Sequence, residues 1–442
     1  MTSRPLDHSC QISSLLRRTL WALAFIFLAW ILILAFRHPF KSGRNTFSAF
    51  YYAAAAIRSQ AGAAALPGNY IYPPFLAWAI QPLTRLPVAV AFRVWLGFSF
   101  LLTSSSMLVG WSAISRYLGL KLDVKNAITI VLGAFLLSAG EAKTEWSVAQ
   151  CDGLVLDSFS FSLALLAASP IAAGLVIALG ANIKYQTLVL VPYLVWRGHY
   201  RAALAALLGF PLIGAVSAIS LGWQGNLTAW SSAIGGLGKF IGLQSEKTAQ
   251  IHALDWTSSV SLPSALARIL PVLGLEQKWA YPLALGLALV LFAVIARLYQ
   301  THRVPFIGRL TGGCERLVVF EWSSIMLLLL AYGPQTTRRH LFILMLTHLL
   351  VVILLFSDAL SQRQRRLLFW TLLFYQIGLR LPPSNGWFDP YADTWKWLGG
   401  PSWCILPLLY VLIKTGVELV GKTRCVVAKT AVFLPKSHRL AV

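Results

Sequence analysis

Acid is what this chain has least of. Only 15 Asp and Glu stand against 37 Lys and Arg in 442 residues, and charged residues of both signs make up 12%. A water-soluble domain carries roughly a quarter of its residues charged, so a soluble globular fold is excluded. The five cysteines (Cys10, Cys151, Cys314, Cys404, Cys425) are scattered and form no CxxC, which implies neither a disulfide framework nor a metal site. P-loop, dinucleotide fingerprint, HExxH and GxSxG in an α/β setting are all missing, so no cofactor and no metal are expected. The net charge of +22 would suit nucleic acid, but no basic run alternates with aromatics in a soluble segment, and no nucleic-acid partner is expected.

Apolar residues, by contrast, are 57% of the chain and mean hydropathy is +0.68. That composition describes a polytopic membrane protein, an all-α transmembrane helix bundle. Residues 1–18 are polar and basic, ending in Arg17 and Arg18, and residues 19–36 are apolar throughout. The run is too long for a signal-peptide core and no small-residue cleavage site follows, so it reads as a retained first helix. Further apolar windows stand at 88–112, 126–140, 153–169, 170–183, 185–196, 202–222, 280–299, 317–333, 340–357, 367–381 and 402–417, which predicts about twelve spans, several of them short.

Charge assigns the two faces. Arg116, Lys121 and Lys125, then Arg197 and Arg201, then Arg303, Arg309 and Arg316, then Arg363, Arg365 and Arg366 alternate with turns that hold the acids Glu141, Glu145, Asp152, Asp389 and Asp393. Basic loops mark the cytoplasmic side. The expectation is a multi-pass protein of the plasma membrane with cytoplasmic tails at 1–18 and 418–442. Its transmembrane domain would be 19–417, with outer loops at 37–87 and 223–279 and the active face outward.

Residues 45–87 are unlike a connector. They hold Tyr51, Tyr52, Tyr70 and Tyr72, five prolines including Pro73 and Pro74, Arg58 and Arg85, and no acid. A segment so apolar is not a solvated loop, and one so broken by proline is not one spanning helix. It predicts short re-entrant or interfacial helices lining a cavity, because irregular backbone at membrane depth survives only there or buried in protein. The same face gathers Glu141, Lys143, Glu145, Gln150 and Asp152 in one turn, Lys184 between two apolar runs, and Arg338, Arg339 and His340 before a late one. His252, Asp255 and Trp256 lie in the second outer loop. Taken singly, such cations are headgroup-level anchors. Together, cations beside aromatics suit a phosphate joined to an apolar chain. Asp157 and Glu321 fall inside apolar runs; Asp157 is placed with Asp152, and Glu321 with a cytoplasmic arginine.

These residues resemble a known family. Phe47, Phe50, Tyr51, Tyr52, Ala53 and Ala54, the Tyr-x-Tyr-Pro-Pro-Phe cluster at 70–75 and Pro-Leu-Thr-Arg-Leu-Pro at 82–87 are similar to the first outer loop of glycosyltransferase family 87. Ala149-Gln150-Cys151-Asp152 stands where that family tends to have Gly-Gln-x-Asn, and residues 172–174 with 181–184 resemble its small-residue helix ending in lysine. Residues 256–261 resemble its Asn-x-Ser turn, and Pro334 followed by His340 its lead-in to a late helix. The resemblance covers roughly residues 40–350 and implies the C-type glycosyltransferase fold, with a polyprenyl-phosphate sugar as donor. One departure stands out: the family usually has an aspartate, taken as the catalytic base, where this chain has Thr46. Asp152 in place of Asn and Arg339 beside His340 are lesser departures.

The resemblance implies a hexosyltransferase that moves mannose or another hexose from polyprenyl phosphate to a lipid or glycan acceptor at the outer leaflet. Base candidates are His340, Glu141, Glu145 and Asp152. Lys184, Arg338 and Arg339 would hold the donor phosphate, with Tyr51, Tyr52, Tyr70, Tyr72 and Gln150 around it. Two alternatives stay open: a non-enzymatic or degenerate accessory protein of envelope glycolipid assembly, and a transporter. The second is disfavoured because the broken segments cluster on one face.

Overall fold

The computed structural model describes residues 13–37, 46–59, 70–120, 124–240, 253–333, 336–380, 389–421 and 426–427. Asn45, Lys121, His252, Pro334 and most of both tails lie outside the described residues. The first apolar run forms α1 (Ser14–Arg37). The proline-broken stretch follows as α2 (Thr46–Arg58), α3 (Pro74–Ala79) and a 3-10 turn, Gln81–Arg85. Next come α4 (Val88–Leu118), α5 (Val124–Leu137), α6 (Ala139–Val148), α7 (Asp152–Leu165) and α8 (Pro170–Ala181). A 3-10 turn, Tyr185–Val189, leads to α9 (Leu190–Trp196), and α10 (Tyr200–Ala215), α11 (Ala218–Phe240) and α12 (Leu262–Val272) follow. The chain continues as α13 (Ala280–Thr301) and α14 (Leu317–Tyr332). A 3-10 segment, Arg338–Leu344, runs into α15 (Met345–Phe356), then α16 (Gln362–Arg380), α17 (Asp389–Trp397) and α18 (Gly400–Gly421). The exception to helix among the described residues is β1 (Leu310–Thr311), paired antiparallel with β2 (Val426–Val427).

Each apolar window is thus helical, but helicity and crossing are different matters. Among the described residues four segments are long and apolar enough to cross a membrane: Val88–Leu118, Gln277–Thr301, Arg338–Phe356 and Gly400–Gly421. Two pairs, α5 with α6 bent by 72° and α10 with the first part of α11 bent by 106°, make six if each pair is one span. About twelve crossings therefore do not emerge: α8 has 12 residues and α9 has 7, where a bilayer needs about 20.

The bundle has a wet-chemistry end and a basic end, and the contacts separate them. At one end Gly308 N–H donates to Trp196 O at 3.0 Å, Arg116 reaches Ala164 O at 3.4 Å, and Gln364 Nε2 donates to Glu418 Oε2 at 2.7 Å. These are the loops that charge assigned to the cytoplasm. At the other end Val260 N–H donates to Thr336 O at 2.7 Å, Arg380 donates to Leu137 O at 2.8 Å, and Arg268 donates to Trp256 O and Trp397 O at 2.8 and 2.6 Å. Those are the loops assigned outside. Between them α15 is the centre, packed by α4, α5, α14 and α16, while α13 turns Leu285, Leu289 and Val290 outward. α8 and α10 touch through small residues. A Cβ on Gly174 would lie 2.2 Å from Ala202 O, so only glycine permits that approach.

The basic end is fixed by one buried ion pair. Arg197 and Glu321 are 1% and 2% exposed and meet in a two-pronged contact, with Arg197 Nε on Glu321 Oε2 at 2.9 Å and Arg197 Nη2 on Oε1. Tyr193 and Tyr299 donate their hydroxyls to the same carboxylate at 3.0 and 2.6 Å, and Arg197 Nη1 donates to Pro305 O and Gly308 O. Glu321 pairs with Arg197, one of the arginines that the charge pattern assigned to the cytoplasmic loops. Asp157 accepts from Ser105 and Ser106 of α4. Cys314 is disulfide-bonded, which the scattered cysteines did not announce.

A carboxylate that accepts from one arginine and two tyrosines holds three elements together. Glu321→Gln leaves the Arg197 charge buried and uncompensated, at a cost of about 3–5 kcal/mol. The expected result is a clearly lower thermal unfolding midpoint in detergent; a midpoint equal to wild type would remove this pair from the account.

Candidate active site

The opposite end carries a second buried ion pair, and the local sequence explains how it is made. α6 ends at Val148, and Ala149 takes a left-handed conformation with φ 49° that swings the chain into α7. Its carbonyl is held by Trp95 Nε1 at 3.2 Å. Asp152 is the first residue of α7, and its N–H donates to Glu145 Oε1 at 2.8 Å. Asp152 is fully buried, and its Oδ1 accepts from Lys184 Nζ, which comes from the turn after α8. Lys184 is placed there because α8 stops at Ala181 and the chain restarts as a 3-10 turn at Tyr185.

The aromatic stretch forms the wall beside this pair. Phe50 and Tyr72 rings meet edge to face with centroids 5.0 Å apart, and both pack with Trp95, Cys151 and Ile183 in one buried cluster. Tyr72 donates to Gln150 Oε1 at 3.3 Å. Tyr70 is a staple, with its hydroxyl donating to Pro73 O at 2.9 Å and accepting from Ala77 N–H at 3.1 Å. Pro74 opens α3 at a position whose N–H would have no helical partner, and the tyrosine supplies the acceptor for the Ala77 N–H that follows.

The late segment closes the site. Asp152 lies within electrostatic reach of Lys184, Arg339 and His340, and Glu145 within reach of Asp152, Lys184 and Arg339. His340 belongs to a capping box: its Nδ1 accepts the Thr337 N–H at 3.1 Å. A backbone N–H can only donate, so the neutral imidazole carries its proton on Nε2 and presents a donor, not a lone pair.

Satisfaction distinguishes this pair from the one at the basic end. Asp152 Oδ2, Glu145 Oε2, Gln150 Nε2 and Arg339 Nε are buried without a hydrogen-bond partner, as is the hydroxyl of Tyr185, which lies near Tyr70. Each such group costs about 1–3 kcal/mol if nothing meets it, and a polar ligand meets several at once. A cation, a carboxylate and an N–H donor around one point can hold a phosphate and take a proton.

The residues singled out from the sequence divide. Tyr72, Glu145, Gln150, Asp152, Lys184, Arg339 and His340 come together, with Tyr70 behind them. Tyr51 is turned away, donating to Leu86 O at 2.8 Å, and Tyr52 is 44% exposed. Arg338 donates to Leu379 O and, with Arg380, faces Glu141 instead. No group of three or more His, Cys, Asp or Glu that could hold a metal occurs among the described residues. Thr337, Tyr185 and Trp95 were not anticipated. Only Thr337 left a signal, a threonine three residues before a histidine at the start of an apolar run.

Comparison with known proteins bears on this geometry. The model of glycosyltransferase family 87 matches residues 70–319, more than half of the chain. The chain belongs to glycosyltransferase family 87, and is a multi-pass membrane glycosyltransferase. The matched region includes Tyr72, Gln150, Asp152 and Lys184 and stops short of Thr46 at one side and Arg338, Arg339 and His340 at the other. No curated protein matches the chain. A crystal structure of ArnT from Cupriavidus metallidurans in the apo state is similar over 92% of this chain and 78% of that one, with 14% identity and a TM-score of 0.41.

Two stability measurements test the site. Ala149 in the left-handed region carries strain that glycine lacks, so Ala149→Gly should raise stability by about 0.5–1 kcal/mol; a loss would mean the turn is unstrained. Arg339→Gln gives up no hydrogen bond at Nε and should shift stability by about 0.5 kcal/mol or less. A large drop would show that Arg339 supports the fold and is not held ready for a ligand.

Proposed function

We propose that the protein moves mannose or another hexose from a polyprenyl-phosphate donor to a hydroxyl of a lipid or glycan acceptor at the outer leaflet of the plasma membrane. The observation that carries this reading is the buried Asp152–Lys184 pair, with unpartnered polar groups and Arg339 beside it, at the end where the aromatic stretch folds in. The reaction is one displacement. The acceptor oxygen attacks the anomeric carbon, the bond from that carbon to the phosphate oxygen breaks, polyprenyl phosphate departs, and the acceptor proton passes to a base.

Arg339 and the Nε2–H of His340 suit the departing phosphate, with Lys184 supporting them from within its ion pair. With its Nδ1 lone pair already accepting from Thr337, His340 is poorly made for a base. Asp152 spends its charge on Lys184. Glu145, whose Oε2 has no partner, is the better base, and Glu141 lies with Arg338 and Arg380. Tyr72 and Gln150 hold the wall against which the sugar would sit.

The outward orientation rests on the basic loops gathered at the other end. The disulfide of Cys314 at that end runs against a reducing cytoplasm. Single cysteines at Ser59 and at Arg363, both exposed, decide between them: impermeant reagent is expected to reach the first in intact cells and not the second. The reverse pattern would turn the protein over.

A second reading, an accessory protein without catalysis, is favoured by Thr46 alone. Purified protein in liposomes with polyprenyl-phosphate mannose separates the two. Transfer is expected from wild type, and Glu145→Gln should lower it by about 10²-fold or more with donor binding kept. Thr46→Asp should be neutral or harmful if the base has moved, and should create activity if it was lost. Absence of transfer from wild type and from Thr46→Asp with any polyprenyl-phosphate hexose would leave the accessory reading standing.

A further inference from the structure

We propose that a cavity at the basic end of the bundle binds an anionic phospholipid of the leaflet that meets this end. Two arginines take its phosphate, and the exposed face of α16 takes an acyl chain. The site lies at the opposite end from the candidate active site, and the inference does not depend on the transferase reading.

The cavity forms where the chain leaves α15 and enters α16. α15 ends at Phe356, and α16 opens with Gln-Arg-Gln-Arg-Arg. The space between them, about 440 Å³, is lined by Leu355 and Phe356 of α15 and by Gln362, Arg365, Arg366 and Phe369 of α16. Arg365 is anchored: its Nη2 donates to Ser357 O at 2.8 Å and lies 3.7 Å from Asp358 Oδ1. Its Nε is enclosed and has no hydrogen-bond partner. Arg366 lines the same hollow and is exposed. The start of α16 is closed by its own side chains, because Ser361 N–H donates to Gln364 Oε1 at 3.0 Å and Ser361 Oγ accepts the Gln364 N–H at 3.3 Å. The arginines therefore supply the attraction.

A path for an acyl chain leads out of the hollow. From Arg366 an exposed apolar stripe runs along α16 at helical spacing, through Phe369 and Trp370 to Leu373 and Ile377. Between Arg366 and Ile377 the helix rises about 16 Å. One leaflet contributes about 15 Å of a hydrocarbon core. α16 packs along α18, which is long and apolar enough to cross a membrane, so the stripe leads from headgroup level towards the middle of the bilayer.

Charge and shape together select the ligand. An alkyl chain alone would cover the apolar wall and leave the Arg365 Nε–H and the arginine charges unmet. Inorganic phosphate would meet the charges and leave the stripe uncovered. A zwitterionic lipid brings no net charge, whereas the hollow keeps a positive one, since Asp358 offsets at most one of the two arginines. A phosphodiester carrying acyl chains satisfies both halves. Guanidinium N–H groups donate to its free oxygens, and a basic pocket between helices at headgroup level is suited to anionic lipid.

The test uses the full-length protein in detergent, with dioleoyl phosphatidylglycerol, dioleoyl phosphatidylcholine and inorganic phosphate each titrated against the thermal unfolding midpoint. A saturable rise is expected with phosphatidylglycerol and none with the other two. Arg366→Gln should weaken the apparent affinity for phosphatidylglycerol about fivefold. Arg363→Gln removes the same charge from an exposed position outside the cavity and should leave that affinity unchanged. A second measurement locates the chain. In vesicles holding an equal fraction of either lipid brominated on its acyl chains, the part of the tryptophan quenching that is lost in Trp370→Phe should be larger for phosphatidylglycerol. The proposal is overturned if phosphatidylcholine or inorganic phosphate raises the midpoint as phosphatidylglycerol does, or if the Trp370-dependent quenching is equal for the two lipids. It is also overturned if Arg363→Gln costs as much affinity as Arg366→Gln, diffuse surface charge then accounting for the attraction. The midpoint without lipid checks that Arg366→Gln folds as wild type does; were it lower, the quenching comparison decides alone.

Discussion

A charge inside a membrane protein must be met by an opposite charge and by hydrogen bonds, or it does not stay charged, and this constraint organises the molecule. Among the described residues two such pairs are buried, one near each end. At the basic end Glu321 accepts from Arg197, Tyr193 and Tyr299, and Arg197 spends its remaining donors on Pro305 and Gly308, so both charges are fully met. At the other end Asp152 and Lys184 meet each other, and Oδ2 of the aspartate stays open beside Glu145, Gln150 and Arg339. Burial and ion pairing are common to the two. What differs is completeness, and an incomplete polar set in a dry interior is a place prepared for something polar.

The aromatic stretch makes that incompleteness affordable in structural terms. Phe47, Phe50, Tyr70, Tyr72, Phe92 and Trp95 form one buried cluster, and Tyr70 ties the Pro73–Pro74 turn to α3. Because those rings fix the wall without calling on the charged groups, the charged groups need not fix the wall. Trp95 also holds the carbonyl of Ala149, the residue whose left-handed backbone aims Asp152 at Lys184. At this site rigidity thus comes from packing, the strained backbone is the Ala149 turn, and the polar atoms keep their valences open.

How far this was legible in the sequence follows from which interactions are local. Apolar windows became helices because burial in lipid or protein forces backbone pairing within the segment. Which of them cross was not legible, since residues 170–196 break into short pieces at Lys184, and a window average does not see a break. Basic and acidic loops gathered at opposite ends, as charge alone predicts. That Tyr72, Gln150, Asp152, Lys184 and His340 share one face was legible from the alternation of charged loops, and the family resemblance narrowed the face to one site. The separation of Arg338 from Arg339 was not legible at all. It depends on a 3-10 segment, in which neighbours one residue apart point about 120° away from each other. Arg268, which holds the end of α17, is a contact between distant loops with no local signature.

The departures from the family pattern make sense as a set once the geometry is known. An asparagine at position 152 would leave Lys184 free to face a phosphate; the aspartate here engages that lysine in an ion pair. The cation that remains uncommitted is Arg339, itself a departure, with its Nε open and its charge acting on Asp152, Glu145 and His340. The chain has no acid at Thr46 and has one at Asp152, so these two departures cancel in formal charge, and Arg339 adds one positive charge.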